Sequence, residues 1–356
     1  MGGGIEVTGI EQRRSWQSAG LPGVEKVRPG LWSIPVPLPR NPLRYVLVYL
    51  LELDSGAAVI DTGWRTEEAW AALVGGMAVA GYTPADVRAI LITHIHPDHY
   101  GLAGRLREAS GAWVALHPAD AALIPARYGS GMERLLASMD GLLIDAGVPD
   151  DMRAELTSAS MGIREFVAAA EPDVLLEDRA TVPLPGWDLV TLHTPGHSPG
   201  HVCFHDRTGR LLFSGDHVLP RISPSVAVHV QQPINPLADF LDALRAVRDL
   251  DVDEVLPAHE WRFRGLGARV DALLDHHRQR LEETYAVISA SPGATCWETA
   301  LRLRWSRDWS QIVGFMRRAA VGETLAHLVL LESSGRVRRD DARPVHWYPE
   351  GDGSDR

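Results

Sequence analysis

Short apolar runs alternate with turn residues along the first half of the chain in a pattern that predicts strands. Leu31 to Val36 reads as a short strand, and Arg44 to Leu53 with Gly56 to Ile60 as a hairpin closed by Asp54-Ser55-Gly56. Asp61-Thr62-Gly63 ends its second arm. The spacing then predicts a helix over Thr66 to Ala80, with Thr66 as N-cap and Gly81 past its end. Val87 to Thr93 is apolar and β-branched, the signature of a buried strand. Tyr100 to Ala109 returns to helical spacing, and Trp113 to Leu116 is a further strand.

From about Pro118 to Pro172 the rhythm changes to helices, over Ala119 to Ala126, Ser130 to Ala146 and Asp150 to Ala159. They carry an apolar stripe of Met132, Leu135, Leu136, Met139, Leu142, Leu143 and Ile144. Such a stripe either buries itself against the body or caps a site as an apolar wall, and the two are compatible. Strands resume at Asp173 to Leu176, Trp187 to Leu192, His201 to Asp206 and Leu211 to Ser214, followed by a helix over Pro236 to Leu250 and a strand at Glu254 to Leu256. Strand-rich halves on both sides of an interrupting helical stretch predict two packed sheets with outer helices, an α/β (α+β) chain. After Arg262 a long helix runs from Gly265 to about Ser289 and breaks at Ser291-Pro292-Gly293. Helices over Cys296 to Trp305 and Gly322 to Ser333 follow, with Ser310 to Ala319 between them. Val337 to Arg339 then pairs with Pro344 to Tyr348. Three helices and a hairpin resemble a winged helix. The expected division is residues 1–262, including an insertion at 118–172, and residues 263–356.

Composition narrows the function. The 356 residues carry a net charge of −11, which disfavours nucleic acid and anionic membrane as partners. Lys26 is the single lysine, a bias that GC-rich codons explain without any function. Cys203 and Cys296 are the two cysteines and form no CxxC, so neither a disulfide framework nor a thiolate metal site is expected. Met1 to Trp16 lacks the basic start and apolar core of a signal peptide, and no run is long enough to span a bilayer. The expected compartment is the cytoplasm, and a homodimer is compatible with the pattern.

The chemistry concentrates in His94-Ile95-His96-Pro97-Asp98-His99, four candidate metal ligands within six residues, between a strand and a helix. Further candidates sit where later strands meet loops. His197 lies in Thr194-Pro195-Gly196-His197-Ser198-Pro199-Gly200, Asp216 ends Phe213-Ser214-Gly215-Asp216, and His259 ends Val255-Leu256-Pro257-Ala258-His259.

Taken in order, these residues with the upstream Asp61-Thr62-Gly63 resemble the metallo-β-lactamase superfamily over about residues 24 to 262. The resemblance implies an αββα sandwich with metals at one sheet edge. It implies that His94, His96 and His197 bind one divalent ion, that Asp98, His99 and His259 bind a second, and that Asp216 bridges them. Zinc is the expected metal, with iron and manganese also compatible with the set. Di-iron redox members commonly carry Glu where His96 stands, so the imidazole favours hydrolysis. Asp98 is also expected to orient the attacking hydroxide held between the metals. Asp61 reads as a carboxylate that holds a ligand histidine, or equally as a cap on its own turn. His217 and Tyr100 are weaker candidates for substrate contact or proton donation, and Arg221 for pairing with an anionic substrate group.

Four reactions compete. Thioester hydrolysis, as in glyoxalase II or acyl-CoA thioesterases, leads, because a thiolate leaves without a general acid. Lactone or ester hydrolysis follows. β-Lactam cleavage is disfavoured by the missing export signal. Single-stranded RNA cleavage, known in a subgroup with a similar C-terminal module, is disfavoured by charge: Arg317-Arg318 is the sole adjacent basic pair on the candidate recognition helices.

Overall fold

The computed structural model describes residues 4–159, 161–232 and 234–350. Residues 1–3 and 351–356, the ends of the two expected domains, lie outside it. The chain begins with β1 (Glu6–Val7) and helix α1 (Ile10–Gln17). It then lays down β2 (Glu25–Arg28), β3 (Leu31–Pro37), β4 (Tyr45–Glu52), β5 (Ala57–Ile60), α2 (Glu67–Val79), β6 (Val87–Leu91), α3 (Pro97–Tyr100), α4 (Ala103–Ser110) and β7 (Trp113–Leu116). Thr66 caps α2 as its position predicts: its hydroxyl accepts the Ala69 N–H at 3.1 Å. The insertion supplies α5 (Pro118–Ala121), α6 (Ile124–Tyr128), α7 (Met132–Asp145) and α8 (Asp150–Ser158), and β8 (Val174–Leu175) returns to the sheet.

Strands β2 to β8 form one sheet in sequence order, antiparallel through β5 and parallel beyond it. The second sheet comprises β9 (Leu189–His193), β10 (Val202–Asp206), β11 (Leu211–Gly215), β12 (Glu254–Pro257) and β13 (Phe263–Arg264), with β1 at its edge; helix α9 (Pro236–Val247) joins β11 to β12. Strand β4 shows why the sheets stack. Tyr45, Leu47, Tyr49 and Leu51 point to one face and meet Phe204, Leu211, Phe213 and Leu256 of the other sheet. The alternate Val46, Val48 and Leu50 pack with Leu73, Met77 and Leu106 of the outer helices. Both faces are buried, which is why the run reads as continuously apolar. On the far side α9 packs on the second sheet through Leu237, Phe240 and Leu244. The result is the expected αββα sandwich.

The rest of the chain is α10 (Leu266–Ala290), α11 (Cys296–Arg302), α12 (Gly314–Ser333) and the antiparallel pair β14 (Val337–Arg339) and β15 (Trp347–Pro349). The expected break before Gly322 is absent: α12 runs unbroken from Gly314. Gly322 instead makes room for a loop, since a Cβ there would stand 2.9 Å from the Ala227 Cβ, and its carbonyl accepts the Val228 N–H at 3.0 Å. Met139 and Leu143 of the insertion stripe are buried, but against α10, α11, α12 and β15 rather than the sandwich, beside Leu156 of α8. No helix among the described residues is long and apolar enough to cross a membrane.

Candidate metal centre

Strands β5 and β6 are parallel in one sheet, and β11 and β12 are parallel in the other. Their C-terminal ends deliver Asp61, Thr93-His94, Asp216 and His259 to one edge of the sandwich. His96 is the N-cap of α3 and Pro97 its first residue, which sets Asp98 and His99 on the single turn that follows. His197 lies in the β9–β10 turn, and the turn requires Gly196. That residue has φ +123°, and a Cβ there would stand 2.4 Å from Phe240 Cβ and 2.8 Å from the Pro236 carbonyl.

The structure brings the seven expected ligands together. Ligand atoms of His94, His96 and His197 form one group, those of Asp98, His99 and His259 another, and Asp216 joins His94 and His99 in a third. Asp216 Oδ1 stands 3.3 Å from His259 Nε2 and 3.6 Å from His99 Nε2, while its Oδ2 is 3.5 Å from His197 Nε2.

Hydrogen bonds fix where the lone pairs point. His197 Nδ1 lies 2.7 Å from the Ser225 carbonyl and His259 Nδ1 2.8 Å from the Tyr45 carbonyl. A carbonyl only accepts, so both Nδ1 atoms donate and both Nε2 atoms carry lone pairs. His99 Nδ1 donates to Asp61 Oδ2 at 2.8 Å. The Thr93 hydroxyl gives its one hydrogen to Asp61 and therefore accepts from His94 Nδ1 at 3.1 Å. Four Nε2 atoms are thus aimed inward, each offering a lone pair when its ring is neutral. His96 Nδ1 sits 2.9 Å from those of both His94 and His197 and can donate to only one of them. His99 Nε2, His259 Nε2 and Asp216 Oδ1 are buried without a hydrogen-bond partner. Converging lone pairs and unpartnered carboxylate oxygen are the donor set of a divalent-cation site.

Electrostatics agrees. Burial, reinforced by the neighbouring imidazoles, holds His94 and His96 well below the usual histidine range, so both are neutral donors. Burial also works against a charged His99, but Asp61, Asp98 and Asp216 outweigh it and raise His99 well above that range. Desolvation of Asp216 is likewise overcome, by His259, His99 and His197, and its carboxyl is held well below the ordinary value. The buried carboxylates favour positive charge beside them, which protonated His99 and His259 supply here and a bound cation would supply in their place.

Asp61 has a left-handed backbone, φ 63°, which turns its carboxylate back to accept from the Thr93 N–H at 2.9 Å as well as from Thr93 Oγ1 and His99. Asparagine tolerates that backbone. Asp61→Asn is therefore expected to fold normally yet lose about 10–100-fold in metal affinity or activity. Competition with a fluorescent chelator checks this; an unchanged dissociation constant would confine Asp61 to its turn.

Sequence reasoning missed Asp120. Its buried carboxylate accepts the Ile95 N–H at 2.8 Å, the Gly200 N–H at 2.7 Å and the Ser198 hydroxyl at 2.8 Å. It ties the His94–His96 loop to the His197 loop. A Cβ on Gly200 would lie 2.5 Å from the Asp120 amide nitrogen. Gly200→Ala is thus expected to push the loops apart and cost about 1–3 kcal/mol of stability, read as a lower denaturation midpoint, with weaker metal retention. A midpoint within error of wild type would refute the tie. Asp120 sits in the first turn of a short helix, where an acid needs no further explanation, so nothing local signals its role.

The weaker candidates stand elsewhere. The Tyr100 hydroxyl donates to the Ala170 carbonyl at 2.5 Å and accepts the Ala170 N–H at 2.7 Å, so it is engaged in holding the segment after the insertion. His217 is fully buried with its ring edge-on to Phe240 at 5.1 Å, and burial pushes it down to about 3. Arg221 binds buried Glu260 at 2.7 Å and lies over Trp16, which spends its charge beside His259 rather than on a ligand. His201 Nε2 accepts the Asp216 N–H at 3.1 Å and so positions that residue.

Comparison with known proteins matches this geometry. The profile of the Metallo-beta-lactamase superfamily matches residues 41–259. The Bacillus subtilis (strain 168) protein "Probable metallo-hydrolase YqjP" is 28% identical over 298 residues, 82% of this chain and 89% of its own length. Human "Acyl-coenzyme A thioesterase MBLAC2" is 28% identical over 172 residues, 47% of this chain and about half, 54%, of that protein. Among solved structures, the metallo-beta-lactamase family protein TTHA1429 from Thermus thermophilus superposes with a TM-score of 0.79 at 32% identity, covering 91% of this chain and all of that one. A beta-lactamase domain protein from Burkholderia ambifaria gives the same TM-score at 25% identity over 97% of this chain and 98% of its own. With the family profile spanning more than half of the chain and the ligand set gathered at the sheet edge, this protein belongs to the Metallo-beta-lactamase superfamily and is one of its metallo-hydrolases.

Proposed function

We propose that this metallo-hydrolase cleaves thioesters. His94, His96 and His197 would hold one divalent ion, Asp98, His99 and His259 a second, with Asp216 between them and zinc the expected metal. Ions in those places would supply acidification of water and polarisation of a carbonyl. The chain's own contribution is to fix four imidazoles by their Nδ1 donors and to present the Asp98 carboxylate, partly exposed at the mouth, as the group that orients the attacking water.

The observation that carries the choice of substrate concerns proton donation. The side chains expected to assist a poor leaving group are engaged. Tyr100 is bound twice to Ala170 and His217 is sealed and neutral; Tyr128, which was not among the expected residues, is engaged as well and donates to the Ile95 carbonyl at 2.8 Å. Alkoxide leaving groups need a proton in the transition state; thiolates do not. The name of the human relative adds support. Against a nucleic-acid substrate stands the placement of Arg317 and Arg318, only 8% and 9% exposed, which gives α12 no basic face there.

The test compares kcat/KM for an acyl thioester with that for the matching oxygen ester and lactone, using zinc-loaded protein. The thioester is expected to be faster, with loss of activity on chelation and recovery on adding zinc. A faster oxygen ester or lactone would replace this reading with an esterase or lactonase.

A further inference from the structure

Three arginines are buried among the described residues, and of these Arg262 alone has a carboxylate partner; Arg317 lies over the Trp309 ring at 5.7 Å. Arg262, 3% exposed, is held between Glu25 at 2.5 Å and Glu254. Arg318 of α12 is 9% exposed, and its one protein acceptor is the Leu156 carbonyl at 3.3 Å. Arg127 of α6 gives its Nε–H to Gln231 Oε1 at 2.9 Å. Neither has a carboxylate within ion-pair distance among the described residues. Each guanidinium carries five N–H donors, and burial without a counter-charge is costly.

These two cations flank one loop that also reaches the candidate metal centre. The segment 227–232 runs between them. At one end Val228 N–H bonds the Gly322 carbonyl of α12, one helical turn after Arg318. At the other, Gln231 takes the Arg127 Nε–H, and Gln232 Nε2 donates to the His197 carbonyl at 3.2 Å. His229 lies in the same segment; its Nδ1 accepts the Gln231 N–H at 3.3 Å, so its other ring nitrogen bears the proton. Burial and the repulsion from Arg127 push Arg318 down to about 10, and burial with the two arginines pushes His229 down to about 3. Asp120 feels Arg127 at longer range, but its oxygens are filled by Ile95, Ser198 and Gly200.

We infer that Arg127 and Arg318, with the Nε2–H of His229 between them, recognise an anionic group, a carboxylate or a phosphate, carried by the substrate. An anion there would relieve the like-charge opposition and use guanidinium donors that the protein leaves idle. Gln232 ties this segment to the His197 carbonyl, so the anion site would lie next to the loop that carries a candidate ligand. The inference rests on the thioester reading for its substrate and on the arginine geometry for its anion site.

The experiment separates the two. On zinc-loaded wild type, kcat/KM is measured for acetyl-pantetheine, which carries no anion; acetyl-coenzyme A and S-acetyl-glutathione, with phosphate or carboxylate on the thiol side; and succinyl-pantetheine, with carboxylate on the acyl side. At least one anionic thioester is expected to exceed the neutral one by about tenfold or more, and Arg127→Gln and Arg318→Gln to shrink that ratio by about tenfold. Which of the three is favoured tells phosphate from carboxylate and thiol side from acyl side. In parallel, inorganic phosphate and succinate are titrated in a thermal-shift assay. Protection that disappears in Arg127→Gln, a partly buried site whose substitution is expected to spare folding, supports the anion site even if no thioester is turned over, in which case the thioester reading alone falls. Ratios near one for all thioesters, together with protection unchanged by the arginine variants, would overturn the anion site and leave the thioester reading standing.

Discussion

Asp216→Asn is expected to lose bound metal and hydrolytic activity together while keeping its fold. The side chain keeps its volume, and the backbone N–H that His201 accepts is untouched. What changes is the group facing His99, His197 and His259. A carboxylate offers those surroundings negative charge and an unpartnered Oδ1; an amide offers one neutral oxygen and two N–H donors. Those donors can bond the inward Nε2 lone pairs directly and so compete with any cation. Removing a carboxylate that merely supports a ligand costs about 10–100-fold, and removing one placed between two ions is expected to exceed that. Elemental analysis after purification without added metal measures the first consequence. Zinc-dependent stabilisation measures the second: a site filled at a thousand times its dissociation constant adds about 4 kcal/mol, which wild type should show as a raised melting temperature and Asp216→Asn should not. Wild-type metal content and turnover in the variant would remove Asp216 from the centre and with it the two-ion arrangement.

The candidate metal centre was legible because its candidate ligands follow buried strands directly. An apolar run that ends in His94, Asp216 or His259 announces both the strand and the edge where it stops. The sandwich was legible for the same reason, since β4 is apolar on both faces and calls for layers on both sides. The supports were not. Asp61 and Thr93 lie 32 residues apart, and Asp120 reaches 25 residues back to Ile95 and 80 forward to Gly200, distances over which no spacing rule operates. Helix α1 was missed because it has no apolar stripe. It is held by the buried Gln12 side chain, which donates to Ser33 Oγ at 3.1 Å and accepts the Arg262 N–H at 3.0 Å. The break expected in α12 arose from Gly322, whose missing Cβ serves a neighbouring loop rather than the end of a helix. The burial of Arg317-Arg318 was not legible either, because sequence shows charge and not depth. The insertion stripe was visible as amphipathic, but its partner, folded more than a hundred residues later, was not.

That partner sets the second large expectation: a chain ending at Arg262 will not yield stable protein, although it retains every candidate ligand. The sandwich and the C-terminal region look separable in sequence, yet the insertion completes a core that the C-terminal helices begin. Met139, Leu143, Val148 and Leu156 share that core with Ile288, Cys296, Trp297, Leu328 and Trp347. Backbone bonds stitch the same face, from the Trp297 N–H to the Ala146 carbonyl at 2.8 Å and from the Val345 N–H to the Asp145 carbonyl at 2.9 Å. On the other side α10 covers the α9 layer through Leu266, Val270 and Leu273. Exposing Met139, Leu143 and Leu156 alone forfeits about 1.5–3 kcal/mol each, a large part of the roughly 5–15 kcal/mol that separates folded from unfolded domains. The truncated chain is expected to aggregate on expression or, if recovered, to show fast amide exchange throughout α7 and α8 and to retain little metal. In the full chain, Leu143→Ala should lower stability by about 2–5 kcal/mol and speed exchange in α11 and α12 as well as in α7, because one core joins them. A soluble, metal-replete and active 1–262 fragment would show that the sandwich stands alone, and exchange confined to α7 in Leu143→Ala would show that the two regions do not fold as one.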